Sequence, residues 1–411
     1  MAKNKRKIIN DPVFGFINVP TEFLYDLLQH RYLQRLTRIR QLGMSSFVYP
    51  GAQHTRFQHS LGALHLMNEA INQLRSLGHD INKEDGDGAL AAILLHDIGH
   101  APFSHALENS LVSGIAHEEI SDLMMQAMNR ELDGRLESAL HIFHGEHPHY
   151  FLHQLVSGQL DVDRLDYLRR DSFYTGVIEG TIGSDRIIKM MDLHQGRLVI
   201  QEKGIYSIEQ FLMARRLMYW QVYLHKTSIA AEKLLIHVLM RAKELALQGE
   251  HLFASPALQF FLNNSITKNE FRQYPEVLQH YTLLDDSDIY SALKAWMSHP
   301  DTVLSTLSQG FIDRKLFKVK TLSEPLSPKE SMELNARYQA HFGIGQHEAS
   351  YFLSVYEVVN ETYNPNEELI RIKFNTGEVK DIAEASDMFN LQILSKETKK
   401  YYLCYLPAIQ I

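Results

Sequence analysis

Apolar and polar residues alternate over residues 8–20, IINDPVFGFINVP, around Asp11, Pro12 and Gly15, and this period of two predicts a short β-hairpin. The period then lengthens. In TEFLYDLLQHRYLQRLTRIRQLG, Thr21 is placed to cap a helix, Phe23, Leu27, Leu28, Leu33, Leu36 and Ile39 recur at helical spacing, and Gly43 is the expected stop. Helix-period apolar residues return in segments 59–77, 88–98, 118–131 and 205–248, with Gly51, Gly78, Gly86 and Gly114 as turn punctuation. One short strand, RLVIQ at 197–201, interrupts them.

From about residue 350 the pattern changes again. YFLSVYEVV and LIRIKF are rich in β-branched and aromatic residues, and the turn Asn375-Thr376-Gly377 follows them. The expectation is a mainly α protein with a short N-terminal hairpin. It divides into a helical domain over residues 1–250 and a smaller domain over 251–411, helical and then α+β. No fixed-period repeat and no low-complexity segment is present.

Composition narrows the function classes. Hydrophobic residues at 45% and charged residues at 22% fit an ordinary globular chain of 411 residues. With 41 basic and 49 acidic side chains the net charge is −8, so the surface as a whole does not attract a polyanion and a nucleic-acid partner is not expected. The basic run Lys3–Lys7 is expected to be a solvated tail. The single cysteine, Cys404, allows neither an intramolecular disulfide nor a thiolate metal cluster. No signal-peptide core or membrane-spanning apolar stretch is found, and a cytoplasmic protein is expected.

The candidate chemistry gathers in LLHDIGHAPFSH, residues 94–105, where an apolar run ends in His96-Asp97 and Gly99 and Pro102 break the helix. An imidazole and a carboxylate beside Leu94 and Leu95 cost several kcal/mol to bury unless they are paired or bind a metal. Two ligands are too few, and two other segments supply more: TRFQHSLG contributes His59, and LDVDRLDYLRRD places Asp161, Asp163 and Asp166 at helical spacing. His59, His96, Asp97 and Asp163 together give two nitrogen and two oxygen donors with open positions for water or phosphate oxygen. Such a set suits one divalent ion, Mn, Fe, Zn, Ni or Mg, better than Ca. A second His-Asp pair, His79-Asp80, is expected to be a solvated turn, and the histidine-rich stretch from His141 to His153 an exposed polar loop without a fixed acid.

RFQHSLG, HDIGHAPFSH and DVDRLDYLRRD resemble, in order and spacing, the signatures of HD-domain phosphohydrolases, closest to the branch of deoxynucleoside triphosphate triphosphohydrolases (dGTPase-like). The resemblance runs from IRQLG near residue 39 to YLHK near 226, and the C-terminal third matches less clearly. It implies the same four metal ligands. It further implies that His100, His105, His117 and Glu108 lie beside the scissile phosphate, with Glu108 where the triphosphohydrolases usually carry Asp. For the substrate it implies Gln41 near the sugar or base, Arg56, Arg164, Arg215 and Lys226 near the phosphates, and Tyr167, Asp171 and Tyr223 near the sugar.

The function expected from this resemblance is metal-dependent hydrolysis of nucleotides, foremost of deoxynucleoside triphosphates to deoxynucleoside and triphosphate. The alternatives are an HD phosphomonoesterase or phosphodiesterase acting on another nucleotide, and a nucleotide-binding sensor with little turnover. A homo-oligomer, dimer or tetramer, is expected because family members commonly assemble.

Overall fold

The computed structural model describes residues 7–103, 105–108, 110–360, 363, 368–387 and 398–409, with the side chains of His105, Glu108, Ser113, Val359, Asn360 and Thr398 outside that description. The N-terminal hairpin forms as expected: Lys7–Asp11 pairs with Gly15–Val19, antiparallel, with Asp11 opposite Gly15. Asp11 Oδ1 closes the turn by accepting from the amides of Val13 and Phe14, at 2.9 and 3.0 Å. The long helix expected over residues 21–43 is broken. Thr21 caps Glu22–Gln29, but His30 turns extended and its ring caps the next short helix, Arg31–Gln34. This local side-chain bond outcompetes continuation of the helix. Gly43, the expected stop, instead opens a short 3-10 segment, Gly43–Phe47.

The central helix is Arg56–Ser76, started by a capping box between Thr55 and Gln58 and buried on nearly every side. It packs against Lys83–Leu95 and Val162–Thr175. The Lys83–Leu95 helix begins five residues earlier than its apolar period suggests, because Asn82 caps it through the Asp85 amide. Gly86, expected as a turn, therefore sits inside the helix, where a Cβ would approach Arg75 Nη2 to 2.6 Å. The stretch expected as one helix over 205–248 is two, Ile205–Met218 and Lys226–Leu247, joined through a π-helical turn at Tyr219–Tyr223. Such wide turns re-aim side chains. Here the turn sends Tyr219 and Tyr223 into a cavity beside the helices.

The C-terminal α+β part is present, with two strands that periodicity did not reveal. Lys318–Leu322, Thr398–Tyr405 and Leu353–Asn360 form an antiparallel sheet in that order. Val358, Tyr402 and Cys404 are buried, and Lys233 of the Lys226–Leu247 helix stands over Tyr356. The second sheet joins the two halves of the chain: Arg371–Lys373 pairs parallel to Arg197–Gln201, with Ile372 opposite Ile200. Residue 250 is likewise no break in packing. Arg35 donates to Leu284 O at 3.2 Å, and Tyr281 donates to Gly99 O at 2.6 Å.

Gly62 marks the tightest helix contact. A Cβ there would overlap the carboxylate of Asp166 and the guanidinium of Arg170 on the Val162–Thr175 helix. Gly62→Ala is therefore expected to lower stability by on the order of 3 kcal/mol, measured by urea unfolding. A loss below about 0.5 kcal/mol would show that the two helices are not held at this distance.

Candidate metal centre and the adjoining cavity

Each expected ligand comes from a helix end or its first turns. Arg56 and His59 lie in the first turn of the central helix, His96 is the C-cap of Lys83–Leu95 with Asp97 just beyond it, and Asp163 is in the first turn of Val162–Thr175. The structure brings all four together. His59 Nε2 lies 3.0 Å from Asp163 Oδ1 and 3.9 Å from Asp97 Oδ2, while His96 Nε2 lies 3.4 Å from Asp163 Oδ1 and 3.5 Å from Asp97 Oδ1.

The ring orientations fit a cation. His59 Nδ1–H donates to Asp166 Oδ2 at 2.7 Å, and His96 Nδ1–H donates to Ile93 O at 2.6 Å. Both Nε2 atoms are buried and turn inward toward Asp163 Oδ1, without a well-aligned hydrogen bond among the described residues. Outer bonds that fix the tautomer and free the inner nitrogen are what a metal-ligating histidine requires. Two carboxylates, buried Asp97 and part-buried Asp163, facing two such nitrogens also balance the charge of a divalent ion.

The electrostatics lead to the same conclusion. Burial alone would depress His59, but the hydrogen bonds and charges of Asp163 and Asp166 outweigh it and raise it to about 10. His96 is also raised, with Asp97 and Asp163 overcoming burial. Against the opposing effect of burial, Asp97 is held well below the carboxylate range by His100, His96 and Arg56, and Asp163 is held down by His59 and His96. The proton on His59 thus holds part of the charge that a dication would bring.

Behind His59 stands a buried chain of charges. Arg170 bridges Asp166, at 2.9 Å from Nε, and Asp11 of the hairpin, at 2.7 Å from Nη1. Arg170 and Asp166 are 0% exposed. A different clamp holds the His96–His100 turn: Ser121 Oγ donates to His96 O at 2.7 Å and accepts from Gly99 N at 2.9 Å, while Arg35 donates to Ile98 O at 3.0 Å. Asp11, Arg35, Ser121, Arg170 and Tyr281 were not legible as site residues. For Arg170 alone a local signal exists, its position four residues after Asp166.

Asp161, one of the three acids at helical spacing in that segment, is the N-cap of its helix, accepting from the amides of Arg164 and Gly158 at 2.7 and 2.9 Å. Burial is the main influence that moves it up to about 6. Other metal-ligand types also group together: Asp97, His100 and His117 form a second trio beside the first, and histidines meet acids farther away. The His141–His153 stretch is mostly helical rather than loop, and an acid fixed by a regular element does face it: Asp85 lies 3.2 Å from His147 and 3.6 Å from His149. His147 Nδ1, however, accepts from the His149 amide at 3.1 Å, so its Nε2 carries the proton given to Asp85. His79 pairs with Asp192 at 2.7 Å, and Asp80 is exposed.

A cavity of about 750 Å3 opens from the centre. Its wall includes Gln41, Arg56, Asp97, His100, His117, Asp163, Arg164, Tyr167, Asp171 and Tyr223. Arg56 Nη1 donates to Asp97 Oδ2 at 2.5 Å. His100 stacks on His117 with centroids 3.7 Å apart, and burial followed by the charge of Arg56 lowers it to about 3, so it is neutral at pH 7. Arg164 donates to Gly158 O at 2.7 Å and pairs with Asp161. Asp171 accepts from Tyr223 at 2.8 Å and from His54 at 2.7 Å, a histidine not singled out from the sequence.

Two expected phosphate-binding residues stand behind the wall. Arg215 is buried, donates to Gln159 at 3.2 Å and lies 6.0 Å from the ring of Tyr219, which lines the cavity, and Lys226 is exposed with its ammonium 5.9 Å from the Tyr402 ring. The side chains of His105 and Glu108 lie outside the described residues. Among the described residues no helix is long and apolar enough to cross a membrane.

Comparison with known proteins places this geometry in context. A family profile described as HD domain matches residues 56–171, and one described as HD associated region matches residues 182–259. An uncharacterized protein of Bacillus subtilis, YwfO, is 30% identical, covering 98% of this chain and 93% of that protein. The human deoxynucleoside triphosphate triphosphohydrolase SAMHD1 is 24% identical over 58% of this chain and 45% of its own length. The crystal structure of a phosphohydrolase from Bacteroides thetaiotaomicron has 60% sequence identity and a TM-score of 0.95, covering 98% of this chain and 100% of that one.

Two outcomes follow for the metal. A folded chain with His59 raised to about 10 carries that proton at neutral pH, and the ligand form is the deprotonated one. Metal binding near pH 7 is expected to release about one proton or more per chain and to tighten as pH rises toward that value. Calorimetric titrations in buffers of different ionisation enthalpy read the release directly, and zero release would exclude His59 as ligand. Asp166→Asn is expected to weaken metal binding by about 10–100-fold, measured by competition with a chelator.

Proposed function

Because the chain belongs to the HD-domain phosphohydrolase superfamily, we propose that it hydrolyses deoxynucleoside triphosphates to a deoxynucleoside and inorganic triphosphate in the cavity beside the ligand cluster. One observation carries this reading. The histidine-aspartate cluster and a set of groups suited to a sugar, Gln41, Tyr167, Asp171 and Tyr223, border a single cavity of about 750 Å3, a size that accepts a nucleotide.

In the proposed reaction, water attacks the α-phosphorus, the bond from that phosphorus to O5′ breaks, and O5′ leaves with a proton as the sugar hydroxyl. A divalent ion held by His59, His96, Asp97 and Asp163 supplies charge neutralisation at the phosphate when bound. The chain's own residues do the rest. Arg56, fixed on Asp97, and Arg164 stand at the cavity wall, where their guanidinium groups are assigned to the phosphate oxygens. His117, stacked on neutral His100, lies in the cavity wall and is assigned to hold or deliver the proton for O5′. His105 and Glu108, on the short helix that follows the metal turn, are assigned to assist it on sequence grounds.

Asp171 is the sugar anchor in this reading. Its carboxylate is oriented by Tyr223 and His54, and its remaining lone pairs accept a sugar hydroxyl. Tyr167, 6.0 Å from the Tyr223 ring and near-perpendicular to it, flanks that position. Burial keeps both tyrosines far above their ordinary range, so they remain protonated donors.

The test is product analysis with the full chain, several divalent ions and the four deoxynucleoside triphosphates. Inorganic triphosphate is expected as the phosphorus product, and Asp163→Ala is expected to lose both bound metal and turnover, by at least about 1,000-fold. Orthophosphate or pyrophosphate as product would move the protein to another phosphoester class. Tight binding without turnover would make it a sensor.

A further inference from the structure

The phosphate and sugar groups account for only part of the cavity wall. A further part comes from Ser228, Ile229, Glu232 and Lys233 of the Lys226–Leu247 helix, with Tyr356 from the Leu353–Asn360 strand. Their spacing of one and four residues puts these helix residues on one face. We propose that this face, closed by Tyr356, is the subsite for the nucleotide base and favours bases that carry an exocyclic amino group, a reading that rests on the nucleotide hydrolase proposed above.

Three features support it. Ser228 is 5% exposed, and its hydroxyl oxygen is buried with no hydrogen-bond partner among the described residues. Leaving a hydroxyl buried and unbonded costs free energy, and a ligand at this wall would recover it. Glu232, one turn further along, pairs with Lys233 at 3.3 Å and keeps free acceptor positions on its carboxylate. Lys233 in turn stands 3.7 Å from the centre of the Tyr356 ring, which fixes that ring as a flat apolar wall.

The chemistry of this set selects among bases. A carboxylate accepts from N–H groups and repels oxygen, while an ammonium beside it donates to a ring nitrogen or carbonyl. Adenine, cytosine and guanine each place an amino group next to such an acceptor. Thymine presents two carbonyl oxygens around its one N–H, so one oxygen is left against Glu232. The C-terminal sheet thereby acquires a role in substrate choice through Tyr356, although it supplies none of the metal ligands.

The experiment measures kcat and KM of the full metal-loaded chain for dATP, dCTP, dGTP and dTTP, in the wild type and in Glu232→Gln and Tyr356→Ala. The wild type is expected to favour the three amino-bearing substrates over dTTP by about tenfold or more in kcat/KM, mainly through KM. Glu232→Gln replaces one acceptor by an N–H donor and is expected to lower KM for dTTP. A gain of this kind cannot come from misfolding. Tyr356→Ala is expected to raise KM for all four together. Equal use of the four by the wild type, or an unchanged dTTP ratio in Glu232→Gln, overturns the subsite. If none of the four is hydrolysed, the hydrolase reading fails by itself. The same ratios are then measured as Kd by equilibrium dialysis in EDTA, where equal values overturn the subsite and a preference against dTTP sustains it.

Discussion

Charge removed from water must meet opposite charge, and this requirement organises the centre of the molecule. Asp166 and Arg170 are fully buried, and neither would be tolerated alone. Each is satisfied only when the hairpin delivers Asp11 and the central helix delivers His59. The ligand geometry is therefore inherited from a wider balance: Asp11, Arg170, Asp166 and His59 alternate in sign up to the carboxylate of Asp163. The absence of a Cβ at Gly62 lets this chain lie between two helices.

Around that fixed point the cavity is assembled from pieces with different tasks. Helix ends supply ions and imidazoles, which keeps them close to one another without long flexible side chains. The π-helical turn supplies Tyr219 and Tyr223 at a place where a regular helix would aim them elsewhere. The C-terminal sheet supplies a wall rather than chemistry. Residues from beyond 250 also reach the metal turn, since Tyr281 holds the carbonyl of Gly99 and Leu284 accepts from Arg35.

The sequence exposed the ligand cluster because local motifs carried it: His59, His96, Asp97 and Asp163 lie in short segments whose spacing is itself the signal. It also exposed the hairpin, the strand at 197–201 and the strand character after 350. What it hid is non-local. Asp11 meets Arg170 across 159 positions, and Tyr281 meets Gly99 across 182, so no window of periodicity contains either pair. Broken helices escaped for another reason. His30 and the Tyr219–Tyr223 turn interrupt runs in which apolar residues continue on both sides of the break, so composition alone does not mark either place.

The parallel pairing of Ile200 with Ile372 has a consequence for how the molecule is made. A ribosome emits the strand Arg197–Gln201 long before its neighbour Arg371–Lys373, and the helical half must wait with an open sheet edge. Loop-closure entropy places this join late in folding, after the local helices have formed. The nascent chain can thus assemble the helices around the candidate metal centre early, while this sheet joins only after residue 373 has emerged. Chaperone dependence, if measured, should fall on that interval rather than on the bundle.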